Sequence, residues 1–274
     1  MRIVVFVKQV PAVSELPWDA KTGQLRREAA EGMMDPAAKR ALEAALRLKD
    51  AHGAQVIVIS MGPPSAEETL REAVAMGADR GFLLCDPRLA GADTLATSYT
   101  LARAVGALSP DFDLILLGCH SADSETGQVG PHLAEELGLP AAAYVEKMAL
   151  KGRKLTVERV SDGWLETLEM DLPALLTVTA RAFRPRPVPM TGLEQAFGQG
   201  EVFILSAADL RADPEHVGWA GSAGRIIKIY APAAQKKGEL IQGTPKACVR
   251  ELMARFGDRL GGLLAKDLSG EEQA

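Results

Sequence analysis

The chain has 274 residues, 47% of them hydrophobic and 24% charged, and its net charge of −5 is spread without a long single-sign run. Such a length buries a sizeable core in one large domain, or in one domain with an appendage. The charge pattern excludes a basic face for nucleic acid or an anionic membrane, and no apolar window approaches the roughly 18 residues of a membrane span.

Residues 3–7 (IVVFV) read as a first buried strand, closed by Lys8 and Gln9. Residues 11–32 hold Pro11, Pro17 and Gly23 without sustained periodicity and read as loop, with a small hairpin around residues 21–23. Asp35 then caps a helix with Pro36 at its first position, Ala41, Leu42, Ala45, Leu46 and Leu48 on its apolar face, and Gly53 at its end. Strands follow at residues 55–60, 81–85, 111–118 and 141–145. Between them lie helices through Leu70 and Val74, from Asp93-Thr94 through Val105, and over residues 128–137. This alternation predicts an α/β protein with a doubly wound, mostly parallel sheet and right-handed crossovers.

After Val145 the period changes to two around Ser161-Asp162-Gly163, a β-hairpin addition, and residues 172–178 (LPALLTV) return as a strand. Pro185, Pro187 and Pro189 make residues 181–192 an extended arm, on which Arg181, Arg184 and Arg186 form a basic cluster suited to solvent or to an acidic protein surface. Beyond it lie strands at residues 202–205 and 225–230 and an amphipathic helix near residues 246–256, a tail expected to lie on something larger. The expected division is therefore a nucleotide-binding α/β domain over 1–183 and an extended arm with a C-terminal segment over 184–274.

Four loops leave the carboxyl ends of successive strands, at residues 8–10, 61–64, 86–94 and 118–128, and in a doubly wound sheet these share one edge. The last runs from an apolar strand through DLILLGCHSADSETGQVGP (113–131) into a helix start, where the backbone N–H groups of Thr126, Gly127 and Gln128 suit a phosphate. Asp123 and Glu125, with no His or Lys near them in sequence, are expected to orient a ribose or cap the helix. Cys119 and His120, as neighbours on a loop, are expected to point apart, and Trp18, Trp164 and Trp219 to be packing residues. No GxxxxGK[ST] or GxGxxG loop appears, so binding without bond cleavage fits best. Cys85, Cys119 and Cys248 form no CxxC pair; no disulfide or metal site is expected, and the chain reads as cytoplasmic.

The motifs VKQVP (7–11), ALEAALRLKD (41–50), ISMGPPSAEETLREAVAMGADR (59–80), GADTLATSYTLA (91–102), AD-x-x-TGQVGP (122–131), LAEELGLP (133–140) and LPALLTV resemble the beta subunit of the electron-transfer flavoproteins through nearly the whole chain. The resemblance implies an electron carrier, heterodimeric with an alpha subunit that carries FAD, and serving a flavin dehydrogenase or quinone reductase. The pocket of this chain then holds either AMP or, in the electron-bifurcating type that oxidises NADH, a second FAD. The 91–102 helix, the loop without a longer insertion and the tail GRIIKIYAP look closer to the bifurcating and nitrogen-fixation branch. By the same resemblance Val7, Lys8, Met61, Asp93, Thr94, Asp123, Glu125, Thr126, Gly127, Gln128 and Val129 line the nucleotide pocket, with no side chain in covalent chemistry. Where relatives usually have a basic residue and then Gln-Ala-Ile-Asp, this chain has Cys119 to Asp123, and residues 185–199 lack the aromatic residue and lysines usual in the partner-docking arm. These departures point to a dedicated redox partner. A stand-alone adenine-nucleotide sensor of the universal-stress type is the rival reading, and the long tail argues against it.

Overall fold

In the computed structural model residues 1–12, 18–19, 24–25, 31–198, 201–224 and 238–268 are described, with 18–19, 24–25 and 262–268 as backbone only. The chain opens with β1 (Arg2–Phe6) and short strands β2 (Gln9–Pro11), β3 (Trp18–Asp19), β4 (Gln24–Leu25) and β5 (Gly32–Met34), before α1 (Pro36–His52). Then come β6 (Gln55–Met61), α2 (Glu67–Met76), β7 (Arg80–Leu84), α3 (Thr94–Leu108), β8 (Leu114–Gly118) and α4 (Val129–Leu137). They are followed by β9 (Ala141–Lys151), β10 (Lys154–Ser161), β11 (Trp164–Asp171), β12 (Ala174–Val178), α5 (Met190–Gly198), β13 (Val202–Leu205), α6 (Gly218–Gly221) and α7 (Pro245–Leu268). The chain divides into two compact units, residues 1–229 and 230–274.

Nine strands of the first unit form one sheet in the order β11-β10-β9-β12-β8-β1-β6-β7-β13. From β9 to β13 every pairing is parallel, and β10 and β11 add antiparallel as the expected hairpin. Two apolar layers explain why these strands are apolar throughout rather than alternating. Ile57, Val4, Ile115 and Leu175 lie side by side across β6, β1, β8 and β12 and pack under α3 and α4. The next row, Val58, Val5, Leu116 and Leu176, faces α1 and α2 on the other side. The fold is a doubly wound α/β sheet. Its strand order reverses between β1 and β8, the point where such sheets bind ligands.

Several expectations change. The strand begun at Ala141 continues to Lys151, pairing in parallel with β12 and then antiparallel with β10. Residues 202–205 do not leave the domain but close the sheet edge beside β7. Helix α5 begins directly after Pro189, within the stretch read as extended, because Gly192 is a close-approach glycine rather than a breaker: a Cβ there would collide with the Ala75 carbonyl of α2. Trp164, expected to pack, stands 75% exposed at the hairpin turn, and the Trp18 side chain lies outside the described residues. Trp219 is half exposed, with its ring against Gly91. β3 pairs with β4 around the expected hairpin, whose tip lies outside the described residues, as does the expected strand at 225–230. In the second unit Val249, Leu252, Met253 and Phe256 form an exposed apolar stripe along α7. No helix among the described residues is long and apolar enough to cross a membrane.

The basic arm is not a free cluster. Arg186 donates its backbone N–H (3.1 Å) and Nε (2.9 Å) to Glu43 Oε2 on α1, and Nη2 to Asp50 at 2.7 Å. Arg40 and Arg47 in turn donate to the carbonyls of Ala182 and Arg184. The reason is local charge: α1 presents Glu43, buried within the apolar face, and a buried carboxylate requires partners. Burial pushes the Glu43 carboxyl upward, but the Arg186 and Arg47 hydrogen bonds outweigh it and hold the group below its ordinary value. A depressed folded pKa means that this stability is present above the unfolded value and lost as pH falls through the folded one. Glu43→Ala is expected to cost about 3 kcal/mol, or roughly 6–12 °C in Tm at pH 7. The deficit should shrink below pH 4 in thermal melts, and trypsin should cut faster after Arg181.

Candidate functional site

The loop after β8 is built by three anchors. Cys119 N–H still donates to Val178 as an extension of the sheet, and the chain then turns at residues 121–125, where the Ser124 and Glu125 N–H groups donate to the Ser121 carbonyl. Lys8, at the end of β1, reaches across the switch point, its Nζ 2.7 Å from Asp123 Oδ1, 3.2 Å from Ser121 Oγ and 3.5 Å from Ser124 Oγ. Asp35, 2% exposed, accepts the Ala37 and Ala38 N–H groups on Oδ2 and the Ala122 N–H on Oδ1. One buried carboxylate thus caps α1 and pins the loop to it. Sequence reasoning found only the cap; the loop anchor had no local signal, since Ala122 is 87 residues away.

The same ring of contacts joins the other loops. Gln9 exchanges hydrogen bonds with Ser65, tying the first loop to the second, and Thr94 Oγ1 donates to Gln128 Oε1 at 2.9 Å, tying the third to the fourth. All four predicted loops therefore meet at one edge. Lys8, Asp123, Thr94, Gln128 and Val129 come together there, with the Val129 carbonyl accepting from Ser98. Glu125 and Thr126 are exposed on the loop. Met61 ends β6 partly buried against the core, and the Val7 side chain is buried while its N–H donates to Ile59. The carboxylate of Asp93 is already engaged, capping α3 through Ala96 (3.0 Å) and accepting the Gly224 N–H (2.7 Å). Burial raises its pKa, but four backbone N–H groups outweigh that and hold it low.

Three expectations are corrected. Asp123 does have a lysine beside it, because the parallel pairing of β1 with β8 brings together residues 115 positions apart. Burial works to raise the Asp123 carboxyl, but the hydrogen bonds from Lys8, Ser121 and Ser124 prevail and keep it below the carboxylate range. Neither Asp123 nor Glu125 caps α4: the N-cap is Gln128, which makes no side-chain cap bond. Cys119 and His120 do not point apart, since the chain bends at both and brings Sγ within 2.9 Å of Nδ1. Burial nevertheless pushes the thiol up, away from the thiolate a nucleophile needs.

What the loop offers a ligand is backbone. Gly127 has φ 66° and Gln128 follows at φ −92°, ψ −26°. A residue at positive φ followed by a right-handed one is the backbone pattern of anion-binding nests, and it stands here at the start of a nine-residue helix. With Lys8 nearby, this donor set fits a phosphate. Fold and site together define a doubly wound protein whose four strand-end loops are tied into one ring at the sheet edge where such folds bind ligands.

Comparison with known proteins narrows the class. Residues 22–210 match the electron transfer flavoprotein domain. The chain is 39% identical over 259 residues to the electron transfer flavoprotein subunit beta of Thermoanaerobacterium thermosaccharolyticum, covering 94% of this chain and 99% of that one. It is 40% identical over 245 residues to the caffeyl-CoA reductase-Etf complex subunit CarD of Acetobacterium woodii (89% and 93%). It is 39% identical over 267 residues to the protein FixA of Azorhizobium caulinodans (94% and 95%). The chain belongs to the electron transfer flavoprotein family.

Proposed function

We propose that this chain is the beta-type subunit of an electron transfer flavoprotein, pairing with an FAD-bearing alpha subunit and holding a nucleotide of its own in the loop ring. It would pass electrons between a flavin dehydrogenase and a redox acceptor such as a quinone reductase, and work in the cytoplasm. The observation that carries the reading is the end-to-end match to beta subunits combined with the Gly127–Gln128 anion cradle. The N–H groups of Gly127, Gln128 and Val129 and the Lys8 ammonium hold the phosphates, while Thr94 Oγ1 fixes the Gln128 side chain by donating to its Oε1. The apolar stripe of α7 gives the alpha subunit a face to cover.

Between the two candidate nucleotides we favour a second FAD over AMP, because relatives aligned along most of their length include a subunit of a CoA-reductase complex and a FixA protein. A bound FAD supplies redox chemistry at its ring system; AMP supplies none. Co-expression with the gene for the alpha partner, followed by acid extraction, tests this. Two FAD per heterodimer are expected; one FAD with one AMP would replace the second-flavin reading, and a homodimer that binds ATP without flavin would overturn the whole proposal.

A further inference from the structure

Tyr144 has φ 61°, in the left-handed region that side-chain-bearing residues avoid. Its cause is a bulge. Leu176 pairs with Ala142 and Val178 with Val145, so Ala143 and Tyr144 together oppose Thr177 alone. The Tyr144 N–H donates to Thr177 Oγ1 at 3.1 Å, and the Thr177 methyl fills the space where a Cβ on Gly130 of α4 would lie. The kink is thus held from β12 and from the helix that carries the cradle. Strain of this kind is kept where surrounding structure enforces it, commonly at ligand clamps.

Packing does not account for the residue, because Tyr144 is 47% exposed and a glycine or asparagine would adopt the same backbone at less cost. What the bulge achieves is aim: a Cβ built on Gly127 would stand 3.6 Å from the Tyr144 hydroxyl oxygen. From the strained backbone, the half-exposed ring and the position of its hydroxyl, we infer that Tyr144 is a binding residue of the ligand site, its phenol donating a hydrogen bond to the phosphate held by the Gly127–Gln128 cradle. This rests on the nucleotide reading above. The phosphate chemistry is shared by AMP and by the diphosphate of FAD.

The test titrates the full-length protein with AMP, FAD and phosphate-free adenosine by calorimetry, for wild type, Tyr144→Phe and Tyr144→Asn. Tyr144→Phe is expected to bind AMP or FAD about tenfold more weakly, the scale of one hydrogen bond to a charged group, and to leave adenosine binding unchanged. Tyr144→Asn, which tolerates the left-handed region, is expected to lose the same affinity while the Tm of the ligand-free protein holds or rises. Phosphate-ligand affinity within twofold of wild type in Tyr144→Phe, or an equal loss on adenosine, overturns the inference and leaves the nucleotide site standing. A wild type that takes up neither AMP nor FAD overturns both.

Discussion

Lys8→Met is expected to weaken AMP or FAD binding by about 30-fold at low salt, the loss of one charge-assisted hydrogen bond of roughly 2 kcal/mol. Among the described residues Lys8 is the cation that hydrogen-bonds to the loop at residues 121–124, so the proposed phosphate contact is expected to depend on it. It is shared with Asp123 at 2.7 Å. Removing Lys8 therefore takes away an attraction and exposes a repulsion. The double variant Lys8→Met, Asp123→Asn should bind better than Lys8→Met alone, and the loss should shrink as salt screens the pair. Calorimetric Kd values around this cycle check it. If Lys8→Met binds within twofold of wild type, the backbone alone holds the anion. If Asp123→Asn by itself costs as much as Lys8→Met, the carboxylate touches the ligand directly.

That cycle concerns a pair the sequence could not show, and the reason separates what was legible from what was not. Strands and helices were readable because their signals are local: the β-branched run after Arg2, the Asp35-Pro36 helix start and the left-handed Gly53 at its end all act within one or two turns. The strand-turn-helix at residues 114–137 was readable for the same reason, since a strand, a small-residue turn and a helix start adjoin in the chain. Contacts that depend on sheet order were not. Lys8 meets Asp123 because β1 pairs with β8; Arg186 meets Glu43 because the arm folds back over α1. Tyr144 lay inside an unremarkable AAAYV run, and only the mismatch of registers between β9 and β12 turns it toward Gly127. The prolines of the arm misled in the opposite sense, hiding a helix that starts at the residue after the last of them.

Asp35 offers the sharpest separation of fold from site, because its two oxygens serve different masters. Oδ2 takes the Ala37 and Ala38 N–H groups and starts α1, the helix that with α2 covers one face of the sheet; Oδ1 takes the Ala122 N–H and holds the loop after β8. Asp35→Ala is expected to cost about 2–3 kcal/mol of stability, a lost N-cap plus stranded backbone donors, and to abolish measurable nucleotide binding at micromolar ligand. Asp35→Asn should behave differently. Its single carbonyl oxygen can keep the helix cap, but its amide then turns an N–H toward the Ala122 N–H, donor against donor. The expected result is a Tm within about 4 °C of wild type with nucleotide affinity down about tenfold. The opposite amide orientation would keep the loop and lose the cap, so affinity would hold while Tm fell. Equal losses of both in the two variants would show that cap and loop act as one unit, and that α1 cannot settle on the sheet until residues 118–128 are pinned to it.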